Sequence, residues 1–213
     1  MFTNACEGVK KIRRAEILAL AATILLLIGR VISVFGLRAS ETTSSGEGLP
    51  AGNLAVIAAG ILLIAGAVMN IVGVSRASRD EPVFRNALTA LLFGIAANIL
   101  VSAFSYDPVI NSIGKTAVNI TEILASYCIC TGIINLADRL GNSSVSARGE
   151  EVRSILMGIW MTAAVVNILG TLFGTNETMQ NVIGIIAIVG GIISIIACFF
   201  YIGLLGQAKK MLE

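Results

Sequence analysis

The sequence contains no histidine and few charged residues. Histidine is the commonest general base and the commonest transition-metal ligand, so its absence excludes most histidine-dependent catalysis and metal binding. Charged residues make up only 13% of the 213 residues, whereas 56% are hydrophobic and the mean hydropathy is +0.88. Soluble domains are usually about a quarter charged. The composition therefore predicts a protein that is largely surrounded by lipid.

The apolar residues fall in six blocks of about 20 residues, the length of a helix that spans the hydrocarbon core of a bilayer. The predicted spans cover residues 15–36, 54–74, 84–104, 118–137, 155–174 and 182–205. The predicted fold class is therefore an all-α integral membrane protein, a six-transmembrane-helix bundle that forms a single polytopic domain over residues 1–213. The connecting segments leave no room for a nucleotide-hydrolysing or signalling domain.

Lysine and arginine are distributed asymmetrically between the two sets of loops, with twelve of the 15 on one side. Basic residues in short loops are retained on the cytoplasmic side. We therefore expect cytoplasmic termini and a multi-pass protein of the cell (cytoplasmic) membrane. The alternative is that the apolar run from Ile17 to Gly29 belongs to a cleaved signal peptide. Because topology and anionic headgroups account for the basic residues, no nucleic-acid partner is expected.

The odd-numbered spans repeat with a period of 69 residues. Segments that begin at Gly29, Asn98 and Asn167 align without gaps and place phenylalanine at positions 35, 104 and 173. The even-numbered spans share a weaker pattern around Asn70 and Asn135. The pattern indicates three tandem helical-hairpin repeats related by an axis along the membrane normal. The alternative is chance similarity among segments rich in the same few residue types.

Polar side chains inside the spans need partners, because hydrocarbon offers none. The candidate intramembrane polar or substrate-lining residues are Arg30, Asn98, Glu122 and Asn167, and the candidate helix-packing polar residues are Asn70 and Asn135. Each asparagine follows a small or hydroxyl residue by four positions, a spacing that lets helices approach and hydrogen-bond. The first set is interpreted either as interhelical contacts or as a substrate or ion site. Arg30 and Glu122 are expected either to pair or to reach the headgroups separately.

Motifs for enzymatic chemistry are absent or incomplete. Cys128 and Cys130 are spaced like metal ligands, but residues two apart on a helix point about 200° apart, so no metal or other cofactor is expected. Glu150-Glu151 resembles the start of the Glu-Glu-x-x-x-Arg signature of the CAAX-protease-like membrane family, whose arginine and histidines this chain lacks. We expect this pair to stabilise the start of span five, and Asp80 to cap span three. The chain is predicted not to be an enzyme.

In size and span number the chain is similar to the substrate-binding subunits of energy-coupling-factor vitamin importers. Ala15-x-x-x-Ala19 resembles the small-residue helix contact that such subunits use. The predicted function is a small non-enzymatic membrane protein that acts as a transport component for a small solute or ion. The alternative is a structural or accessory subunit that binds a partner in or at the membrane. Besides the lipid bilayer, the expected contacts are a membrane-protein partner or a second copy of the chain.

Overall fold

The protein is all-helical over the residues that the structure describes. The computed structural model describes residues 2–34, 51–103, 108–173 and 177–213. These residues form six α-helices, which follow the order of the predicted spans: α1 Thr3–Val34, α2 Ala51–Ala77, α3 Val83–Ala103, α4 Pro108–Arg139, α5 Ser143–Phe173 and α6 Glu177–Leu212. At 32 and 36 residues, α1 and α6 are longer than a bilayer core requires.

Over the residues that the structure describes, four of these helices are long and apolar enough to cross a membrane. The qualifying segments are Val56–Ala77 in α2, Val83–Ala103 in α3, Thr116–Arg139 in α4 and Ile192–Leu212 in α6. The all-helical class and a membrane location are therefore supported. Six crossings, the tandem repeat and the cytoplasmic termini stay predictions, and the repeated phenylalanines at 35 and 104 lie outside the described residues.

The helices pack in chain order as a closed ring. Each helix contacts the next one along the chain, α6 returns to contact α1, and α4 also touches α6. This order places α1 and α4 on opposite sides of the ring. We call the end that holds both chain termini and the two short turns, at residues 78–82 and 140–142, the terminal end. The opposite end is called the distal end.

The buried core lies at the terminal end. All six helices contribute to one cluster of buried apolar side chains. Its largest fully buried members are Ile12, Phe84, Ile129, Ile133, Leu136, Leu204 and Leu205. Toward the distal end, by contrast, large side chains such as Ile64 and Phe93 are 69% and 66% exposed. Such apolar surface suits contact with lipid tails.

Small residues let α1 and α2 approach closely. A Cβ atom added to Gly73 would lie 2.8 Å from the carbonyl oxygen of Gly8, so neither helix tolerates a side chain at this crossing. Further along, a Cβ atom on Gly66 would lie 3.2 Å from the carbonyl oxygen of Ala15 and 3.8 Å from the amide nitrogen of Ala19. The Ala15 and Ala19 face, compared above with a partner-docking contact, therefore packs against α2 of the same chain.

Asp80 caps α1, so the prediction that it caps span three is wrong. Its carboxylate accepts a hydrogen bond from the amide of Ala5 at 2.7 Å and another from Nδ2 of Asn4 at 2.9 Å. Both donors lie in the first turn of α1, and the amide of Ala5 is one of the backbone N–H groups that have no partner within the helix. The turn between α2 and α3 thereby stabilises the start of a different helix.

The start of α5 also differs from the prediction. The helix begins at Ser143, so Glu150 and Glu151 lie beyond its first turn and cannot cap it. Asn142 is the cap, and its Oδ1 accepts a hydrogen bond from the amide of Val145 at 3.1 Å. Just before it, Gly141 has a φ of 67° and ends α4 in the left-handed conformation that glycine adopts readily.

Candidate functional site

The interior faces of α1 and α4 change from apolar to acidic where the buried core ends. On α1, the fully buried Val9 and Ile12 are followed on the same helical face by Glu16. On α4, the buried Ile129 is preceded on the same face, seven residues earlier, by Glu122. Two carboxyl groups therefore stand at the distal edge of the core, one on each side of the ring.

Glu16 is held by an amide on the neighbouring helix. Asn70 of α2 donates a hydrogen bond from Nδ2 to Oε1 of Glu16, at a long distance of 3.5 Å. The other polar atom of that amide, Oδ1 of Asn70, is buried without a hydrogen-bond partner. A buried carbonyl oxygen beside a carboxylate is thus left free to accept a donor or to bind a cation.

Two carboxyl groups on helices from opposite sides of the ring lie near one another. Glu16 and Glu122 are close enough to interact electrostatically, although α1 and α4 do not pack as a helix pair over the described residues. Glu122 is also exposed, even though it shares a helical face with the buried Ile129. Glu122 is therefore accessible at this level, distal to the core. We call the region around Glu16, Asn70 and Glu122 the acidic chamber.

The acidic chamber has the chemistry of a cation site. Within the described ranges, neither Glu16 nor Glu122 makes an ion pair with a lysine or arginine. The same residues contain no group of three or more cysteine, aspartate or glutamate side chains arranged for a metal ion. A cation held here would therefore use two carboxylates together with neutral oxygens such as Oδ1 of Asn70.

Two groups of α6 lie close to the chamber. Tyr201 is 4% exposed, and its buried hydroxyl has no hydrogen-bond partner among the described residues. Tyr201 and Cys198 are both close enough to Glu16 to interact with it electrostatically. Seven residues before Tyr201, on the same helical face, Ser194 is exposed and donates only to the carbonyl of Gly190. Polar groups therefore continue from the core edge toward the distal end.

The other predicted intramembrane residues do not join the chamber in the described part of the structure. Asn98 of α3 is exposed, and its side chain has no partner among the described residues, while its carbonyl accepts a hydrogen bond from Ser102. The side chains of Arg30 and Asn167 lie outside the described residues, so the proposed pairing of Arg30 with Glu122 stays a prediction.

A second carboxyl group, Glu81, is bound nearer the terminal end. It is 1% exposed; its Oε1 accepts a hydrogen bond from Nδ2 of Asn135 at 3.1 Å, and Nη2 of Arg139 lies 2.9 Å from its Oε2. The Arg139 contact is an ion pair by distance but lacks hydrogen-bond alignment. Unlike Glu16, Glu81 therefore has a cationic partner, which marks it as a structural group.

Sequence reasoning missed both glutamates. Glu16 stands at the edge of the first predicted span and Glu81 in a loop, so neither was treated as an intramembrane charge. One signal was available: Asn70 follows Glu16, and Asn135 follows Glu81, by the same 54 residues. Comparison with protein-family models, curated proteins and solved structures finds no match to this chain.

Proposed function

We propose that the chain is a non-enzymatic, multi-pass protein of the cytoplasmic membrane that acts as a transport component for a small solute or ion. The observation that carries the proposal is the pair of carboxyl groups, Glu16 and Glu122, which are close enough to interact electrostatically although their helices lie on opposite sides of the ring. Carboxylates within a membrane bundle are energetically costly and usually mark substrate or ion pathways.

The chemistry of the chamber selects a positively charged solute. Two carboxylates attract a cation and repel an anion, and the free carbonyl oxygen of Asn70 adds a neutral ligand. No described arginine or lysine neutralises Glu16 or Glu122. The proposed substrate class is therefore a proton, a small metal cation or a protonated amine. The buried core at the terminal end would then separate the chamber from the proposed cytoplasmic side.

A cation-dependent stability assay tests this proposal. The purified protein is heated in mild detergent with sodium, potassium, magnesium, calcium or ethylammonium chloride at constant ionic strength. A cation that binds the folded state raises the unfolding temperature. We expect at least one of them to do so in the wild-type protein and to lose this effect in Glu16→Gln and in Glu122→Gln.

Glu150→Gln is the matched control, because Glu150 is an exposed carboxyl group that makes no ion pair with the described residues. It should keep the full cation response. A cation effect that persists in Glu16→Gln, or the absence of any effect in the wild-type protein, would contradict the proposal. In the second case, co-purification of a stable partner protein would favour the accessory-subunit alternative.

A further inference from the structure

A cationic cleft lies between α1 and α6, outside the acidic chamber. Its volume is about 340 Å³, and its polar lining comes from Arg13, Gln207 and Lys210. On its apolar side it is lined by Phe199 and Ile202. The cleft therefore presents positive charge and hydrogen-bond donors next to apolar surface.

The two cations of the cleft are available for a ligand. Arg13 and Lys210 make no ion pair with any described residue, and Nε of Arg13 is buried without a hydrogen-bond partner. In contrast, the neighbouring Lys209 is already paired with Glu213 at 3.0 Å. A buried guanidinium N–H without a partner is costly, and an anion supplied from outside would satisfy it.

Two glycines of α6 line the cleft. A Cβ atom on Gly206 would lie 3.5 Å from Nε of Arg13, and one on Gly203 would have nothing within 4 Å. Lys210 lies near the end of α6, close to the level at which an apolar helix meets the headgroup region. The cleft is thus placed where a lipid phosphate and the start of its acyl chains lie side by side.

We propose that this cleft binds the phosphate of an anionic phospholipid. The phosphate accepts hydrogen bonds from Arg13 and Lys210, and the first acyl carbons lie against Phe199 and Ile202. The arginine fork suits phosphate oxygens better than a point charge does. The proposed lipid site does not depend on the acidic chamber or on transport.

Native mass spectrometry of the delipidated protein in detergent tests the site. Phosphatidylglycerol and phosphatidylcholine with the same acyl chains are titrated separately. We expect the wild-type protein to retain phosphatidylglycerol preferentially. The double variant Arg13→Gln, Lys210→Gln should bind phosphatidylglycerol roughly 25-fold more weakly than the wild-type protein. This value assumes that each cation removed lowers the affinity about five-fold. Inorganic phosphate at the same concentration should not displace the lipid.

The matched control is Arg79→Gln with Arg85→Gln. It removes the same charge from exposed residues that have no ion pair among the described ones, and it should leave the lipid preference intact. If both double variants lost the same affinity for phosphatidylglycerol, the proposal would be overturned, because the lipid preference would then reflect only net charge. Displacement by inorganic phosphate would also overturn it, since the ligand would then be a free anion.

A variant that fills the cleft without changing the charge distinguishes loss of the site from misfolding. Gly203→Leu places a side chain in the cleft at a position with no close neighbour, and Gly158→Leu does the same at an open position on α5. We expect Gly203→Leu to lose lipid preference while Gly158→Leu keeps it, with similar helical content by circular dichroism. Retention of the preference in Gly203→Leu would contradict the proposed site.

Discussion

At the terminal end of the bundle, apolar side chains from six helices bury one another, and several polar groups bind partners in the same chain. There, Glu81 binds Asn135 and Arg139, Asp80 caps α1, and Arg76 pairs with Glu7. At the distal end, the described helices expose large apolar side chains instead. Lipid tails are as apolar as these side chains, so burying them against protein brings little gain.

The difference teaches where stability and function reside in this molecule. The terminal end holds the packing that a substitution can disrupt, whereas Glu122, toward the distal end, is exposed. The acidic chamber lies at the boundary between the two regions. Free energies of unfolding, measured by SDS titration of the protein in mixed micelles, should therefore depend strongly on which end is altered.

Arg139→Leu should have the largest effect on stability. It leaves Glu81, which is 1% exposed, without its cationic partner. An unpaired buried charge is costly, so we expect the free energy of unfolding to fall by about 3 kcal/mol. Adding Glu81→Leu should restore most of this loss. Arg79→Leu, at an exposed position, is the control and should change little; an equal loss there would show that the Glu81 contact is not responsible.

Gly73→Ala should have the next largest effect. Its new Cβ atom would lie 2.8 Å from the carbonyl oxygen of Gly8, so α1 and α2 must move apart. We expect a loss of about 2 kcal/mol. Gly60→Ala, on the same helix with nothing within 4 Å, should be neutral or stabilising by up to about 1 kcal/mol, because alanine favours the helix. Similar results for the two variants would refute the close crossing.

Asp80→Ala should cost about 1 kcal/mol, the usual value of a helix cap. The loss should appear at α1, because the carboxylate binds the amide of Ala5. Faster hydrogen exchange at residues 3–6 would locate it. Asp138→Ala removes an exposed carboxylate and serves as control. Faster exchange at the start of α3 in Asp80→Ala, with none at α1, would mean that Asp80 caps the helix that follows it.

Asn98→Leu should have the smallest effect, within about 0.5 kcal/mol, because the side chain is exposed and has no partner among the described residues. Asn167→Leu is expected to act alike, since the predicted 69-residue repeat would make the two positions equivalent. Asn70→Leu, which removes the partner of Glu16, should cost about 1 kcal/mol. If Asn98→Leu lowered the free energy of unfolding as much as Asn70→Leu, the proposed difference in stability between the two ends of the bundle would be contradicted.

Hydropathy was sufficient to predict the helical class, because apolar blocks of this length have few other solutions in a membrane. Pairing between distant helices was not predictable in the same way. Asp80 precedes α3 in sequence, yet it binds Ala5, because the ring brings the start of α1 to the turn between α2 and α3. A helix-capping prediction from sequence considers only the helix that follows the capping residue. It therefore assigned Asp80 to the wrong helix.

The candidate site also depends on contacts between distant helices that the sequence does not predict. Glu16 falls at the edge of an apolar block, close to Arg13 and Arg14, so composition places it among headgroup residues. In the structure α1 begins at Thr3, and the buried Ile12 on the same face directs Glu16 toward the interior. Glu122 was recognised as an intramembrane charge, but its neighbour across the ring depends on the order in which six helices close.

Cation flux in reconstituted vesicles tests the central claim, that Glu16 belongs to a cation pathway, most directly. The wild-type protein, Glu16→Gln and Glu150→Gln are incorporated at equal amounts into liposomes, and sodium, potassium and proton movement down an imposed gradient is recorded. We predict flux of at least one of these cations with the wild-type protein and with Glu150→Gln, and flux reduced to the protein-free rate with Glu16→Gln. Equal flux through Glu16→Gln and the wild-type protein, or no flux above empty liposomes in any sample, would contradict the account.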